Sequence, residues 1–130
     1  MNVLIVDDEP AIVEALQLVC EKQGWSATTT TEATTALELM NDDIDIVITD
    51  IIMPDMDGVQ LISKIRKTWP EVKIIAISGG GDQGAGAYKP EAIATNSFLH
   101  AAQEAGAHAV LTKPFGIEDI TRLIVSQTVS

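Results

Sequence analysis

The sequence predicts an α/β fold, a doubly wound five-stranded parallel sheet with helices on both faces. Strand-like runs alternate with helical periodicity five times along the chain, which is typical of parallel strands joined by helical crossovers. Most of these runs are apolar throughout, as expected for strands that are buried on both faces. The chain has 130 residues, the length of one domain, and we assign residues 1–130 to it.

Proline, glycine and capping residues define the expected elements. The expected strands are residues 3–6, 25–29, 44–49, 72–77 and 109–112. The expected helices begin near residues 10, 31, 57, 91 and 117, and they end near residues 23, 41, 69, 105 and 126. Pro10 suits a first helical turn, and Gly24 suits a helix end. Thr31 and Asp57 are expected to cap the second and third helices.

Composition and charge narrow the classes of function. The formal charge is −11 at pH 7, so we expect no direct binding to nucleic acid, whose phosphates would be repelled. No apolar run approaches the ~18 residues of a membrane span, and no leader precedes the first strand. We therefore expect no membrane insertion and a cytoplasmic location. The single cysteine, Cys20, can form no internal disulfide, which agrees with a reducing compartment, and it is expected to be a small core residue.

An aspartate follows the third predicted strand. The segment Ile46–Thr49 is apolar or β-branched throughout, and Asp50 comes directly after it. Pro54 has no amide hydrogen for a sheet ladder, so the strand must end before it. Asp50 is therefore placed at the carboxyl end of a buried strand, and ligand sites of open α/β sheets are built at that edge. Taken alone, a single aspartate there would more often cap a loop.

Four further polar side chains are expected at the same edge, because right-handed crossovers bring the carboxyl ends of all parallel strands together. They are Asp7 and Asp8 after the first strand, Ser78 after the fourth and Lys113 after the fifth. Three converging carboxylates repel one another unless a cation neutralises them. Carboxylate oxygens favour Mg²⁺ or Mn²⁺, and Mg²⁺ also accepts phosphate oxygens. The sequence therefore predicts a divalent cation site.

This set of side chains suits phosphoryl transfer. Asp50 can attack phosphorus as a carboxylate nucleophile and form an acyl phosphate. Mg²⁺ and the Lys113 ammonium can stabilise the phosphoryl oxygens. The Ser78 hydroxyl can donate a hydrogen bond to an acceptor that arrives at Asp50.

Four motifs closely resemble the receiver domain of two-component response regulators, in the order that the family shows. They are Val6-Asp7-Asp8-Glu9-Pro10, Asp50-Ile51-Ile52-Met53-Pro54-Asp55-Met56-Asp57-Gly58, Ser78 and Lys113-Pro114-Phe115. The resemblance covers the whole chain. It implies a flavodoxin-like (βα)5 fold with strand order 2-1-3-4-5, and a stand-alone regulator similar to the single-domain chemotaxis regulators.

The resemblance also implies a role for each motif residue. Asp50 would accept a phosphoryl group from a phosphohistidine of a sensor histidine kinase or a histidine phosphotransfer protein. Mg²⁺ would be bound by Asp7, Asp8, Asp50 and the backbone carbonyl of Ile52. Ser78 and Lys113 would contact the phosphoryl group. The protein would catalyse only its own phosphotransfer and dephosphorylation, and so would not be an enzyme in the usual sense.

Two departures from the family concern how such a domain would switch. Val110 stands three residues before the lysine, where the family usually has Tyr or Phe, so the usual aromatic switch cannot operate. His108 is nearby on the same predicted strand face and is an alternative candidate for the switch, but an ordinary loop or strand-edge histidine is the simpler interpretation. The serine and lysine motifs are also unusually far apart because of the glycine-rich segment 79–90. This segment is either a tolerated surface insertion, or a mobile lid or partner-docking loop beside Asp50 in which Tyr88 replaces the missing aromatic side chain.

The expected output is a phosphorylation-dependent shift of a binding surface, or onward phosphate transfer. The resemblance places that surface on the last two helices and the fifth strand, where an unknown downstream protein would bind. The alternative is a phospho-independent protein-binding scaffold on the same fold, which the missing aromatic residue favours. A Mg²⁺-dependent phosphatase is less consistent with the sequence, because Ile52 occupies the place of the second aspartate of such enzymes. The Lys113–Pro114 bond is often cis in the family, and the sequence leaves its isomer open.

Overall fold

A parallel sheet forms the centre of the protein. The computed structural model describes residues 1–53, 56–78 and 100–128. Within these ranges the strands are β1 (Asn2–Val6), β2 (Ser26–Thr30), β3 (Ile46–Asp50), β4 (Lys73–Ser78) and β5 (Ala109–Thr112). They lie in the order β2-β1-β3-β4-β5, and each neighbouring pair is parallel. The predicted fold class and strand order are confirmed.

Helices connect the strands and cover both faces of the sheet. They are α1 (Pro10–Gln23), α2 (Ala33–Leu39), α3 (Gly58–Thr68), α4, of which residues 100–105 are described, and α5 (Ile117–Thr128). The predicted start of the fourth helix near residue 91 lies outside the described residues. Among the helices of the described ranges, none combines the length and the apolar character needed to cross a membrane.

Two apolar layers, one on each face of the sheet, explain why the central strands are apolar throughout. Successive side chains of a strand point to opposite faces. In β3, Ile46 and Ile48 therefore pack with α1 and α5, whereas Val47 packs with α2 and α3. Cys20 is buried in the layer with α1 and α5, as predicted for a small core residue.

The helix ends test the capping predictions. Gly24 ends α1 in the left-handed conformation, with φ of 82°, which a glycine adopts without steric cost. The Asp57 carboxylate accepts a backbone hydrogen bond at the start of α3, as predicted. The prediction that Thr31 caps α2 is wrong, because Glu32 occupies the N-cap position. The Glu32 amide instead donates to the Thr30 hydroxyl at 3.1 Å, so a local turn of this earlier threonine sets the entry into α2.

The segment between α2 and β3 also differs from the prediction. α2 ends at Leu39, about two residues early, because Met40 leaves the helix with ψ of 141° and buries its side chain in the apolar layer. β3 begins two residues later than predicted and includes Asp50 as its last residue. Asp50 is therefore held by the sheet ladder rather than by a following loop.

The register of the strands brings four strand ends to one edge of the sheet. Val6 pairs with Thr49, and Asp50 pairs with Ile77. The last residue of β4 lies beside the last residue of β5. The residues that end or directly follow these strands therefore share one edge, which we call the carboxyl edge.

Candidate functional site

Three carboxylates meet at the carboxyl edge. Asp7 and Asp8 follow β1, and Asp50 ends β3, with one oxygen of each lying within 4.8 Å of the others. Asp7 and Asp50 are buried, whereas Asp8 is exposed. We call these three residues the acidic cluster. The predicted convergence of the carboxylates is confirmed, and one side of the cluster is open to solvent.

Backbone hydrogen bonds fix the two buried carboxylates. The Asp7 Oδ1 atom accepts from the Glu9 amide at 2.9 Å, which turns the chain into α1. The Asp50 Oδ1 atom accepts from the Ile52 amide at 3.4 Å. The amide of Ile51 donates to a carbonyl of β4 at 2.9 Å and continues the ladder one residue beyond Asp50. The side-chain directions are therefore set by the ends of the strands.

Gly58 allows α3 to begin directly against the end of β3. Its amide donates to the Ile51 carbonyl at 2.6 Å. A Cβ atom at this position would lie 2.3 Å from the Asp50 carbonyl oxygen and 2.5 Å from the Ile51 Cα atom. These distances are far below van der Waals contact and involve backbone atoms, so only glycine fits without moving the strand end that carries Asp50.

Lys113 brings a buried ammonium group to the acidic cluster. Its backbone amide donates to the Ser78 carbonyl at 2.7 Å, and its peptide bond with Pro114 is cis. The Nζ atom lies 3.1 Å from Asp7 Oδ2 and 3.4 Å from Asp50 Oδ2. It also donates a hydrogen bond to Glu9 Oε1. The structure thus brings together the predicted lysine and aspartates, and it adds Glu9.

Sequence reasoning missed Glu9 as a member of this site. The available signal was its place directly after two aspartates at the carboxyl edge. Periodicity did not reveal it, because a glutamate before Pro10 also reads as an ordinary helix start.

Burial and crowding shape the ionisation of the site. Burial, and then the charge of Asp7, raise the pKa of Asp50 to about 7, although Lys113 opposes the shift. Burial alone would lower the pKa of Lys113, but the hydrogen bond with Glu9 and the charges of Asp50 and Asp7 outweigh it and raise that pKa. Lys113 is therefore a permanent cation, whereas Asp50 carries its negative charge at a cost.

Comparison with known proteins places this arrangement in a family. Residues 3–125 match the response regulator receiver domain. The sensor kinase CckA of Brucella abortus is 32% identical over 126 residues, and the response regulator SaeR of Staphylococcus aureus is 35% identical over 77 residues. A CheY-like receiver domain protein from Methanospirillum hungatei superposes with a TM-score of 0.81 at 27% identity, covering 97% of this chain and 91% of that one.

This chain belongs to the response regulator receiver domain family. The match with CckA covers 95% of this chain but 12% of CckA. The match with SaeR covers 59% of this chain but 34% of SaeR. The chain therefore spans about an eighth and a third of these two relatives. What they share with it is the receiver domain.

Ser78 brings a buried hydroxyl to the carboxyl edge of the receiver domain. It ends β4, is 1% exposed, and its Oγ atom has no hydrogen-bond partner among the described residues. A buried hydroxyl without a partner is unfavourable by roughly 1–3 kcal/mol. An acceptor that arrives beside Asp50 would relieve this cost, which fits the role predicted for Ser78.

The receiver domain's acidic cluster suits a divalent cation. Burial raises the pKa of Asp7 although Lys113 opposes the shift, so a further cation beside it would favour its ionised form. Asp7 Oδ2 is buried and accepts no hydrogen bond from the described residues, although the Lys113 ammonium is near. Carboxylate oxygens are ligands that Mg²⁺ and Mn²⁺ prefer. The backbone of Ile52 lies next to the cluster through its amide, and its role as a carbonyl ligand stays a prediction.

Two of the residues that concern the departures from the family, Val110 and His108, lie among the described residues. Val110 is in β5 and packs against the layer of α2 and α3. His108 precedes β5 at the opposite edge of the sheet, where its Nδ1 atom accepts from the Ile74 amide at 3.2 Å and contacts Arg66 at the same distance. This position gives His108 a structural role at the strand start. Tyr88 and the segment 79–90 lie outside the described residues.

Proposed function

We propose that this receiver domain accepts a phosphoryl group on Asp50 from a phosphohistidine of a sensor histidine kinase or a histidine phosphotransfer protein, in a Mg²⁺-dependent reaction. One observation carries the proposal. The Asp50 carboxylate ends a strand within 4.8 Å of the Asp7 and Asp8 oxygens, and the Lys113 ammonium lies 3.4 Å from it. These contacts support the proposal, because phosphoryl transfer needs a nucleophile, cation ligands and a fixed positive charge at one point.

The transfer is a displacement at phosphorus. An Asp50 carboxylate oxygen forms the new P–O bond while the P–N bond to the donor histidine breaks. The electron pair of that bond stays on the ring nitrogen, which takes a proton from solvent. Mg²⁺ held by Asp7, Asp8, Asp50 and the Ile52 carbonyl would supply positive charge to the phosphoryl oxygens. Lys113 stabilises the same oxygens, and Ser78 donates its hydroxyl to one of them.

The added phosphoryl group changes the charge of the carboxyl edge by roughly −1.5 to −2. We propose that the response is a population shift of the surface formed by α4, β5 and α5, read by a downstream protein, or onward phosphate transfer. We propose that the protein acts in the cytoplasm, does not bind nucleic acid directly, and catalyses only its own phosphotransfer and dephosphorylation. Its charge of −11 supports the part of this proposal that concerns nucleic acid.

Labelling with a small phosphodonor tests the proposal directly. Wild-type protein incubated with acetyl phosphate and Mg²⁺ should gain the mass of one phosphoryl group, and EDTA should abolish the gain. Asp50→Asn should gain none, because an amide is not a nucleophile of this kind. Asp57→Asn is the matched control, since Asp57 is an exposed aspartate that caps α3 and asparagine caps equally well.

Two results would count against the proposal. Labelling of Asp50→Asn as strong as that of wild type would place the acceptor elsewhere. A wild-type protein that gains no phosphoryl mass and shows no spectral change with beryllofluoride and Mg²⁺ would favour the phospho-independent scaffold.

A further inference from the structure

Glu9 occupies a helix N-cap position but does not cap the helix. Its backbone is extended, with φ of −98° and ψ of 109°, and its side chain makes no capping hydrogen bond to α1. The carboxylate instead accepts a hydrogen bond from Lys113 Nζ. The side chain of Glu9 is thus bonded to a residue that lies 104 positions away in the sequence.

Glu9 differs from the other two partners of Lys113. Asp7 and Asp50 are buried members of the acidic cluster, whereas the Glu9 side chain is 35% exposed. Among the described residues, the group of carboxylates close enough to share one cation consists of the acidic cluster and does not include Glu9. A cation on the cluster would weaken, without removing, the attraction of Asp7 and Asp50 for the ammonium, and Glu9 would keep its full charge.

We propose that Glu9 is a positioning residue that holds the Lys113 ammonium on the α1 side of the site and competes for it with the phosphoryl group. This inference rests on the proposed function. The contact with Glu9 must weaken before Lys113 can turn fully to a phosphoryl oxygen on Asp50. Glu9 therefore opposes phosphorylation, although it lies beside the residues that perform it.

Charge and geometry both indicate that removing the Glu9 carboxylate favours phosphorylation of Asp50. A phosphodonor is an anion, and the Glu9 carboxylate repels it at short range. Loss of Glu9 does not release Lys113 from the site, because the ammonium keeps its contacts of 3.1 Å with Asp7 and 3.4 Å with Asp50. Removing the charge of Glu9 should therefore make Lys113 more available to the phosphoryl group without displacing it.

The test compares Glu9→Gln with wild type in the presence of Mg²⁺. Beryllofluoride should bind the variant roughly three- to tenfold more tightly, and acetyl phosphate should label Asp50 faster by a similar factor, since a partly exposed charge-assisted hydrogen bond is lost. Glu32→Gln is the matched control, because Glu32 is also a glutamate at a helix N-cap without a side-chain capping bond, at the start of α2. The control should behave as wild type.

The direction of the change separates this role from a merely structural one. If Glu9 only supported the fold, or held Lys113 in the position that phosphorylation needs, Glu9→Gln would bind beryllofluoride more weakly and would be labelled more slowly. Either that result or no change overturns the inference. Thermal unfolding of both variants verifies that they are folded. A second readout without Mg²⁺ is hydrogen exchange of the Lys113 ammonium by NMR, which should be faster in Glu9→Gln.

Failure of the inference and failure of the proposed function give different results. If wild type is labelled and Glu9→Gln is not faster, phosphorylation of Asp50 stands and the role of Glu9 falls. If wild type is not labelled at all, the proposed function falls, and the role of Glu9 falls with it.

Discussion

Asp50 carries a negative charge at a place that disfavours one. It is buried beside a second carboxylate, and its pKa is raised to about 7. The few groups that oppose the shift are the Lys113 ammonium and the Ile52 amide. A carboxylate that is poorly solvated by its surroundings gains more from a cation or an electrophile than an exposed one does. The features that suit Asp50 as an acceptor therefore lower the stability of the free protein.

Asp50→Asn should stabilise the protein in the absence of divalent cations. The folded state raises the Asp50 pKa above the value of about 3.9 in the unfolded chain, so it binds the proton more tightly. Ionisation of Asp50 therefore lowers the free energy of unfolding as pH rises from about 4 to about 7. In EDTA at about pH 8, the variant should be more stable by about 1–3 kcal/mol in urea unfolding, and the difference should shrink towards about pH 4.

Asp57→Asn is again the control for this titration, because it removes an exposed aspartate that is not in the acidic cluster. It should show no gain in stability over wild type in EDTA at about pH 8, because asparagine caps a helix as well as aspartate does. An Asp50→Asn variant that is less stable than wild type at every pH would show that the contact with Lys113 outweighs the cost of burial.

At the scale of elements, the start of α3 holds the end of β3 in place. Gly58→Ala should destabilise the protein by about 1–3 kcal/mol, because its Cβ atom would overlap the backbone of Asp50 and Ile51. The strand end must shift to relieve the overlap, so binding of beryllofluoride with Mg²⁺ should weaken as well. Urea unfolding measures the first effect, and a beryllofluoride titration measures the second.

Gly116→Ala is the matched control for the element-scale prediction. A Cβ atom there would make an ordinary contact of 3.4 Å with the Asp119 carboxylate. This substitution should change the free energy of unfolding by at most about 0.5 kcal/mol. If Gly58→Ala were equally mild, the close approach of α3 to β3 would not be what positions Asp50.

At the ends of helices and strands, some features could be predicted from the sequence and others could not. Gly24 and Asp57 were predicted correctly because a helix end and a cap each need a residue of a particular type. The prediction that Thr31 is the cap was wrong because three neighbouring threonines offer similar hydroxyl groups. Which of them sets the start of α2 depends on where β2 ends. The close approach of Gly58 in α3 to the backbone at the end of β3 could not be predicted, because a local sequence pattern does not show which elements come into contact.

At the scale of the whole molecule, the sheet topology and the acidic cluster could be predicted, because both follow from periodicity and the handedness of crossovers. The contact of Glu9 with Lys113 could not, since it depends on side-chain rotamers across 104 residues of sequence. The same holds at the opposite edge, where Arg66 donates to the Gly106 carbonyl at 2.8 Å and meets His108. These long-range contacts join elements whose relative positions the sequence pattern does not specify.

Mg²⁺ should stabilise the whole protein through the acidic cluster. A ligand that binds only the folded state adds about 1.4 kcal/mol to the free energy of unfolding at ten times its dissociation constant. Thermal unfolding should therefore shift upward with Mg²⁺ in wild type, and the shift should be much smaller in Asp8→Asn, which loses the exposed carboxylate of the cluster. Asp57→Asn should keep the full shift.

The cation should also change the pH dependence, which distinguishes binding at the cluster from binding elsewhere. A positive charge beside Asp50 favours its ionised form and lowers its pKa from about 7. The fall in stability with rising pH that is expected in EDTA should therefore diminish in saturating Mg²⁺. An equal shift of the unfolding temperature in wild type and Asp8→Asn, with an unchanged pH dependence, would place the cation away from Asp50 and remove the basis for a Mg²⁺-dependent phosphoryl transfer at this edge.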